Sequence, residues 1–382
     1  MGLTEEYIRK GGNPMSCKIF TLSPGSTSTK LAVFEDEKRL FKASVTHDPE
    51  VLRTFATVLD QLPYRIQTIQ EEMDKAGMSL AEMDAFAAYS GGLAPTETGI
   101  YPVNDQMLAD CRNIRLFAHP AMLGAQIIHQ FAQTYGKPAL VIDPPDSDEF
   151  EPLARISGVK GVYRASGVHV LNQKEAGRRA AKTLGKPYAD CNLVVCHVGG
   201  GLSITAQKHG RIVDANNVLL GDGPMAPNRS GSVPVMPIIR MCYSGKYSQP
   251  EMENQISKTG GWLGLTGTDS AIELEKRIAD GDKWAELCFD AMAYQLGKYI
   301  GSYACVMEGQ VDAVVLTGGV SNSARFVEQV EKYVRWIAPV VVFGGDFEME
   351  ALASGAVRYL TGEEAPKTYT GVPVWSGFDF EH

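Results

Sequence analysis

Phe20–Val45 reads FTLSPGSTSTKLAVFEDEKRLFKASV. An apolar run enters a Gly/Ser/Thr-rich turn and meets Lys30, which on first sight suggests a phosphate-binding P-loop. That motif needs a second glycine directly before the lysine and a helix directly after it. Here Thr29 precedes Lys30, and the residues that follow alternate in polarity, turn at the charged Glu35–Lys38 and alternate again. Such a pattern predicts three consecutive strands, with the Ser/Thr turn as their first hairpin. The P-loop reading fails.

The same order recurs at Leu193–Asn217, LVVCHVGGGLSITAQKHGRIVDANN. An apolar run enters a turn at Gly199–Gly201, a second run follows, then a basic turn at Gly210 and a third run. Two matching segments, each opening one half of the chain, predict a structural repeat. Two phosphate hairpins in register would grip a polyphosphate from two sides.

Around these segments strand-like and helical patterns alternate. Pro49–Gly77 and Ser79–Met83 read as helical, Ala85–Gly92 (AFAAYSGG) as a strand ending in glycines, and Ala139–Phe150 (ALVIDPPDSDEF) as a buried strand running into an acidic loop. Residues 174–184 read as a basic amphipathic helix, and 269–308 as a helix pair whose second member is apolar around most of its circumference. Val311–Ser323 (VDAVVLTGGVSNS) is a strand entering a double-glycine turn, and Ala338–Leu360 closes with a strand, a loop and a helix. Alternation of this kind predicts an α/β fold in two halves, with ligands at the strand C-termini.

Composition excludes several classes. With 382 residues the chain is long enough for two domains, and 36 basic against 45 acidic residues give a net charge of −9. That balance favours neither nucleic acid nor anionic lipid as a partner. No apolar run reaches the length of a membrane span. Residues 1–16 carry Glu5, Glu6, Arg9 and Lys10 without an apolar stretch, which predicts a flexible extension. Seven cysteines, an odd number without a CxxC pair, predict reduced thiols in a cytoplasmic protein, each a small core residue.

Taken in order, SPGSTSTK, IDPPDSDEF, ARISG, VHVLNQK, HVGGGLSI, GDGP with RSGSVP, DAMAYQLGK, LTGGVSN and EMEALASGA resemble the motifs of butyrate kinases, within the acetate kinase group of the sugar kinase/actin/chaperone ATPase superfamily. The resemblance runs from about residue 17 to about residue 369. It implies a duplicated ribonuclease-H-like fold with a nucleotide cleft between domains. Domain I would comprise 17–145 with 349–382, on the acyl side, and domain II would be 146–348, carrying adenosine and the dimer contact. The implied reaction is reversible phosphoryl transfer between Mg·ATP and a short-chain carboxylate, giving acyl phosphate and ADP, in a homodimer or higher homo-oligomer.

Phosphoryl transfer to a carboxylate asks for donors, metal carboxylates and a guanidinium rather than a nucleophilic triad, because the acid is already ionised at neutral pH. Gly25, Ser26, Thr27, Ser28 and Lys30 supply donors at the first hairpin, where an ordinary polar turn is the competing reading. His197, Gly199, Gly200 and Gly201 form the second, and His197 either donates to phosphate or satisfies the strand end. Gly318, Gly319, Ser321 and Asn322 lie where adenosine is expected, with tight-turn geometry as the alternative. The resemblance assigns Mg²⁺ to Asp143 and Glu348, with Glu350 close enough in register to compete, and the transferring phosphoryl group to Arg229. His169 and Gln173 stand in the family's two-histidine motif, with Gln173 in place of the second histidine.

Three positions depart from the pattern. Ser90 stands where an arginine is expected before two glycines, Ser23 where an asparagine is expected, and Ile272 where an arginine often lies near the adenine. Arg112 and Arg115 are candidates to compensate for Ser90. A second reading is therefore a divergent paralogue that binds nucleotide with weak or altered transfer, in which Ser90→Arg raises activity. A third is a sugar or glycerol kinase on the same fold, which needs a catalytic aspartate as base.

Overall fold

The computed structural model describes residues 16–113 and 118–379, so all but the last residue of the expected extension, and Arg115, lie outside the described residues. The chain divides into two compact units, residues up to Asp148 with Phe347 onward, and Glu149–Asp346.

The first unit opens with the meander expected from the sequence: β1 (Lys18–Pro24), β2 (Ser28–Glu35) and β3 (Lys38–Thr46), paired antiparallel from Lys18↔Glu35 to Pro24↔Thr29 and from Ser28↔Thr46 onward. There follow α1 (Pro49–Arg53), α2 (Leu62–Lys75), β4 (Ala85–Ala88), β5 (Ile100–Pro102), α3 (Asp105–Cys111), α4 (Gly124–Tyr135) and β6 (Ala139–Ile142). The helical run expected over Pro49–Gly77 is thus interrupted. The Thr54 hydroxyl bonds back to the Val51 carbonyl, and Thr57 bonds the Asp60 carboxylate through both N–H and O–H. Such local side-chain bonds compete with helix continuation.

Strand order in this sheet is β3-β2-β1-β4-β6-β5, with β1, β4 and β6 mutually parallel. Strands β4 and β6 are buried at every residue, as parallel strands covered on both faces require. Edge strand β3 keeps alternate residues exposed. Phe20, Phe86 and Phe131 pack mutually within 6.0 Å beneath the sheet.

The second unit contains α5 (Pro152–Arg155), α6 (Val170–Leu184), β7 (Asn192–Val198), β8 (Leu202–Lys208), β9 (Arg211–Ala215), α7 (Val235–Cys242), α8 (Gln249–Ser257), α9 (Gly261–Thr266), α10 (Ala271–Ala279), α11 (Lys283–Val306), β10 (Ala313–Gly318), α12 (Ala324–Val334) and β11 (Val340–Gly344). Its sheet runs β11-β10-β7-β8-β9, with β7, β10 and β11 parallel. The order β9-β8-β7-β10 repeats β3-β2-β1-β4, so the repeat seen in the sequence is a repeat of topology. Helix α6 begins four residues before the expected 174, with a first half buried along Val170–Gly177; over the expected span it is amphipathic as read, with Ala176, Gly177, Ala180 and Ala181 buried and Lys182–Leu184 exposed. The long α11 lies in the core as expected, where Phe289 stacks on Trp262 at 5.0 Å.

The last helix, α13 (Glu348–Leu360), returns to the first unit and packs on its sheet so closely that a Cβ on Gly355 would meet Ile142 at 2.5 Å. Five cysteines are buried, but Cys242 and Cys305 are exposed, which corrects the expectation that all seven are core residues. Among the described residues, no helix is long and apolar enough to cross a membrane.

Candidate functional site

In each unit the candidate residues gather where the parallel strands end. At the C-terminus of β1, the N–H of Gly25 donates to the Ser28 carbonyl at 2.8 Å and closes a tight turn. Beyond the end of β3, the N–H of His47 donates to the Thr27 carbonyl at 2.9 Å and fixes its tip. Ser26 and Thr27 are exposed, and the hydroxyls of Ser26, Thr27 and Ser28 have no partner among the described residues. The turn thus offers free donors on a pinned backbone.

Glu348, the first residue of α13, faces this hairpin. Its carboxylate accepts the Ser23 hydroxyl at 2.9 Å and lies 3.4 Å from Lys30 Nζ. Glu350 turns away and pairs with Arg39 at 3.0 Å. The register that the sequence left open therefore puts Glu348, not Glu350, beside Lys30.

Asp143 follows β6 and is fully buried at φ 40°. A non-glycine residue in the left-handed region stores strain, which concentrates at functional sites. Its backbone and side chain both engage Gly99: N–H to the Gly99 carbonyl at 2.8 Å, and Oδ1 accepting from the Gly99 N–H at 2.9 Å. Asp143 and Glu348 thus stand at the same edge of one sheet. Two carboxylates suit a hard cation that keeps most of its waters, as Mg²⁺ does. No cluster of three or more His, Cys, Asp or Glu suited to a metal occurs among the described residues.

Ser90 has a different task from the one its place in the sequence suggested. It is fully buried; its hydroxyl donates to the Ala121 carbonyl at 3.2 Å and accepts from the Ala125 N–H at 3.0 Å. It thereby caps α4. Arg112 is exposed beyond α3, and Ile272 is 82% exposed on α10.

In the second unit, His197 ends β7 and the Gly199–Gly201 turn follows. Each of these glycines leaves room for a neighbour. A Cβ would lie 2.9 Å from His197 Nε2 if added at Gly199, 3.0 Å from Asn228 Nδ2 at Gly200, and 2.4 Å from Arg229 Nη1 at Gly201. The hairpin is therefore built against His197, Asn228 and Arg229. Arg229 donates to the Val218 carbonyl at 3.2 Å and has no carboxylate partner among the described residues; burial lowers its pKa. His169 stacks on His197 with ring centroids 4.0 Å apart, and its Nδ1 lies 2.8 Å from Ser203 Oγ. Burial, then His197 and then Arg229, hold His169 well below the usual imidazole range. Burial lowers His197 to about 4, against an opposing pull from the Asp346 carboxylate. Two neutral imidazoles and a guanidinium thus line this hairpin.

Gln173 lies one helical turn beyond His169, its N–H donating to the His169 carbonyl at 3.0 Å. It is fully buried on α6, and its Nε2 donates to the carbonyls of Val195 and Ser203 at 2.9 and 3.0 Å, across β7 and β8. Its amide nitrogen is thus committed to two strands, while its Oε1 is buried with no hydrogen-bond partner among the described residues. Gly318 adopts φ 90°, and a Cβ there would strike Val198 at 2.5 Å. Ser321 donates to the Thr317 carbonyl and Asn322 to the Gly319 carbonyl, at 2.8 and 3.1 Å, so their side chains serve the turn. Gly319 faces open space, with nothing within 4 Å of a notional Cβ.

Asn172, Asn228 and Asp346 join this site without having been singled out in the sequence. Asn172 sits inside the quoted VHVLNQK, one residue from Gln173, and Asn228 directly precedes Arg229.

The model of a family described as the acetokinase family matches residues 154–354. Among solved structures, acetate kinase from Porphyromonas gingivalis is similar at 19% identity, over 90% of this chain and 99% of that one, with a TM-score of 0.74. A propionate kinase from Francisella tularensis subsp. tularensis gives 18%, 89%, 98% and 0.70. Acetate kinase from Entamoeba histolytica gives 14%, 89%, 99% and 0.69. At these identities the likeness shows the fold, the two-domain actin-like ATPase architecture expected from the sequence.

Proposed function

The chain belongs to the acetokinase family, phosphotransferases that act on carboxylates, and on that premise we propose that it transfers phosphate reversibly between Mg·ATP and butyrate or another short or branched-chain fatty acid. A carboxylate oxygen forms a bond to the γ-phosphorus as the bond to the ADP oxygen breaks. No proton need move, because the acid is ionised beforehand. The protein's work is positioning and charge neutralisation.

In this reading Ser26, Thr27, Ser28, Lys30 and the Gly199–Gly201 backbone hold phosphate oxygens. Arg229, with His169 and His197 beside it, stabilises the phosphoryl group in transfer. Asp143 and Glu348 hold Mg²⁺, which neutralises phosphate charge when bound. The open face of Gly319, next to Gly318, leaves room for adenosine. The single observation that carries the reading is the family match over 154–354; the unpaired hairpin hydroxyls and the Arg229 guanidinium, free of any carboxylate, support it. Preference for butyrate rests on the resemblance of VHVLNQK to butyrate kinases.

Incubation with Mg·ATP, hydroxylamine and a panel of C2–C6 acids tests it. Hydroxamate should form best with C4 or branched acids, and none above blank with any acid would end the proposal. The divergent-paralogue reading gains no support, since Ser90 is a packing residue whose hydroxyl α4 requires.

A homodimer formed through the second unit belongs to the same proposal. Helix α7, VMPIIRMC, has no buried residue, and Tyr243 directly after it is 88% exposed. An apolar surface of this kind fits a second copy of the chain, and light scattering after gel filtration measures it. The cytoplasm, where ATP is supplied, is the location this activity implies.

A further inference from the structure

Arg65, on α2, is fully buried. Its Nε and Nη2 donate to Gln61 Oε1 at 3.0 and 2.9 Å, and its Nη1 donates to Thr29 Oγ1 at 2.9 Å. Both acceptors are neutral, and no carboxylate among the described residues pairs with it. That is anomalous, because a buried cation without a counter-charge is among the costliest arrangements a core can hold. The buried Arg358 pairs with Glu364, and even the part-exposed Arg164, Arg179 and Arg277 pair with Asp214, Glu175 and Asp282. The groups around Arg65 do not repair the deficit. Tyr64, His47 and His119 are the titratable side chains that face it, and its charge helps to lower both histidines, after burial.

Its position gives the anomaly a meaning. Thr29 is the first residue past the Gly25–Ser28 turn. Because Arg65 donates to the Thr29 hydroxyl, that hydroxyl turns its own proton to His47 Nε2 at 2.8 Å. His47 is then protonated on Nδ1, which faces the Tyr64 hydroxyl at 3.3 Å, while its backbone N–H holds the hairpin tip at Thr27. A directed chain of hydrogen bonds therefore runs from the guanidinium to both sides of the turn. The second hairpin repeats the arrangement, since Arg229 also lies against its turn without a carboxylate partner. Each phosphate hairpin has a guanidinium behind it that the protein itself leaves uncompensated.

We propose that Arg65 is a positioning residue of the first hairpin, a buried fixed charge whose counter-ion is the phosphate of a nucleotide or acyl phosphate docked on Gly25–Ser28. It rigidifies the turn through Thr29 and His47, and it acts on the anion through a poorly screening interior. The proposal rests on the reading of that hairpin as a phosphate site, and it supplies on the first unit a guanidinium that Ser90 does not.

The test compares the full chain with Arg65→Met and Arg65→Lys, titrated with inorganic phosphate and with ADP by calorimetry at two salt concentrations. Arg65→Met should weaken both ligands at least about fivefold, by a similar factor at both salt concentrations, while Arg65→Lys should stay within about twofold. Unchanged binding in a folded Arg65→Met, or equal losses in both variants, overturns the proposal. Should Arg65→Met fail to fold, the His47 ring resonances of the unsubstituted protein decide. Saturating phosphate should raise the His47 pKa by offsetting the field of Arg65, and no movement overturns the proposal. Hydroxamate formation by the unsubstituted protein alongside normal binding by Arg65→Met would remove this role and leave the kinase reading standing. Binding that depends on Arg65 without hydroxamate from any acid would do the reverse.

Discussion

Asn172 presents its amide oxygen to His197 Nδ1 at 3.0 Å, and the rest of its surroundings fix that orientation. Its nitrogen faces a carboxylate oxygen of Asp346 at 3.2 Å, which only accepts, and its oxygen also receives the Thr317 hydroxyl at 3.2 Å. His197 must therefore carry its proton on Nδ1, leaving Nε2 bare towards Gly199. A buried amide thus sets the tautomer of an imidazole at the hairpin.

Neutral His197 has a consequence for stability. Its folded-state pKa of about 4 lies below the ordinary 6.5, so the unfolded chain takes up the proton first as pH falls. The stabilisation is fully present above about pH 6.5 and is lost on acidification towards 4. His47 in the first unit, also lowered to about 4 by burial and Arg65, behaves alike. Urea midpoints at pH 7.5, 6 and 5 should decline steadily, and a flat series would contradict the tautomer assignment and both buried neutral imidazoles.

Glu348 and Glu350 offer a matched pair. Glu348→Gln removes the charge beside Ser23 and Lys30, whereas Glu350→Gln breaks only a part-exposed pair with Arg39. Removing a charge from the phosphate machinery costs about a hundredfold or more in kcat, while loss of a surface pair leaves turnover within about twofold. Steady-state kinetics with a Mg²⁺ titration separates them; equal effects would argue against Glu348 as the metal carboxylate.

Ser90→Arg should not restore anything. The side chain is fully enclosed, and its hydroxyl serves the Ala121 carbonyl and the Ala125 N–H. A guanidinium forced there overpacks the core and buries a charge, so the variant should be insoluble or unfolded. Ser90→Ala should fold and lose about 1–3 kcal/mol, the cost of a buried unpaired donor and acceptor. Denaturant unfolding measures the second, and a soluble, more active Ser90→Arg would show that the side chain reaches substrate.

The meanders were legible because strand alternation and turn residues act over a few positions: the runs around Gly25–Ser28 and Gly199–Gly201 announce their own hairpins. The missed features depend on partners far along the chain. Gln173 stands in VHVLNQK, and only the approach of β7 and β8 shows that its amide nitrogen is committed to Val195 and Ser203. Ser90 reads as a lost arginine until α4 brings Ala125 to its hydroxyl. Arg65 stands in an ordinary amphipathic helix, and nothing local reveals that its guanidinium ends beneath Thr29. The break after Arg53 escaped because Thr54 and Thr57 choose local hydrogen bonds over helical ones.

Gly201 offers the sharpest test of Arg229. A Cβ added there would lie 2.4 Å from Nη1 and 2.7 Å from Cζ, at the functional end of the side chain. The guanidinium can swing aside because it is held by a single hydrogen bond, to the Val218 carbonyl at 3.2 Å. Gly201→Ala should therefore leave the fold intact and displace only the charge. Misplacing a transition-state donor by about an ångström lowers kcat about a hundredfold with little change in nucleotide binding. Gly136→Ala is the control: it is left-handed at φ 66°, has no neighbour within 4 Å of a Cβ and ends α4, a part of neither hairpin, so it should cost stability but not turnover. If Gly201→Ala turns over like Gly136→Ala, Arg229 does not act on the phosphoryl group from the place it occupies beside this hairpin.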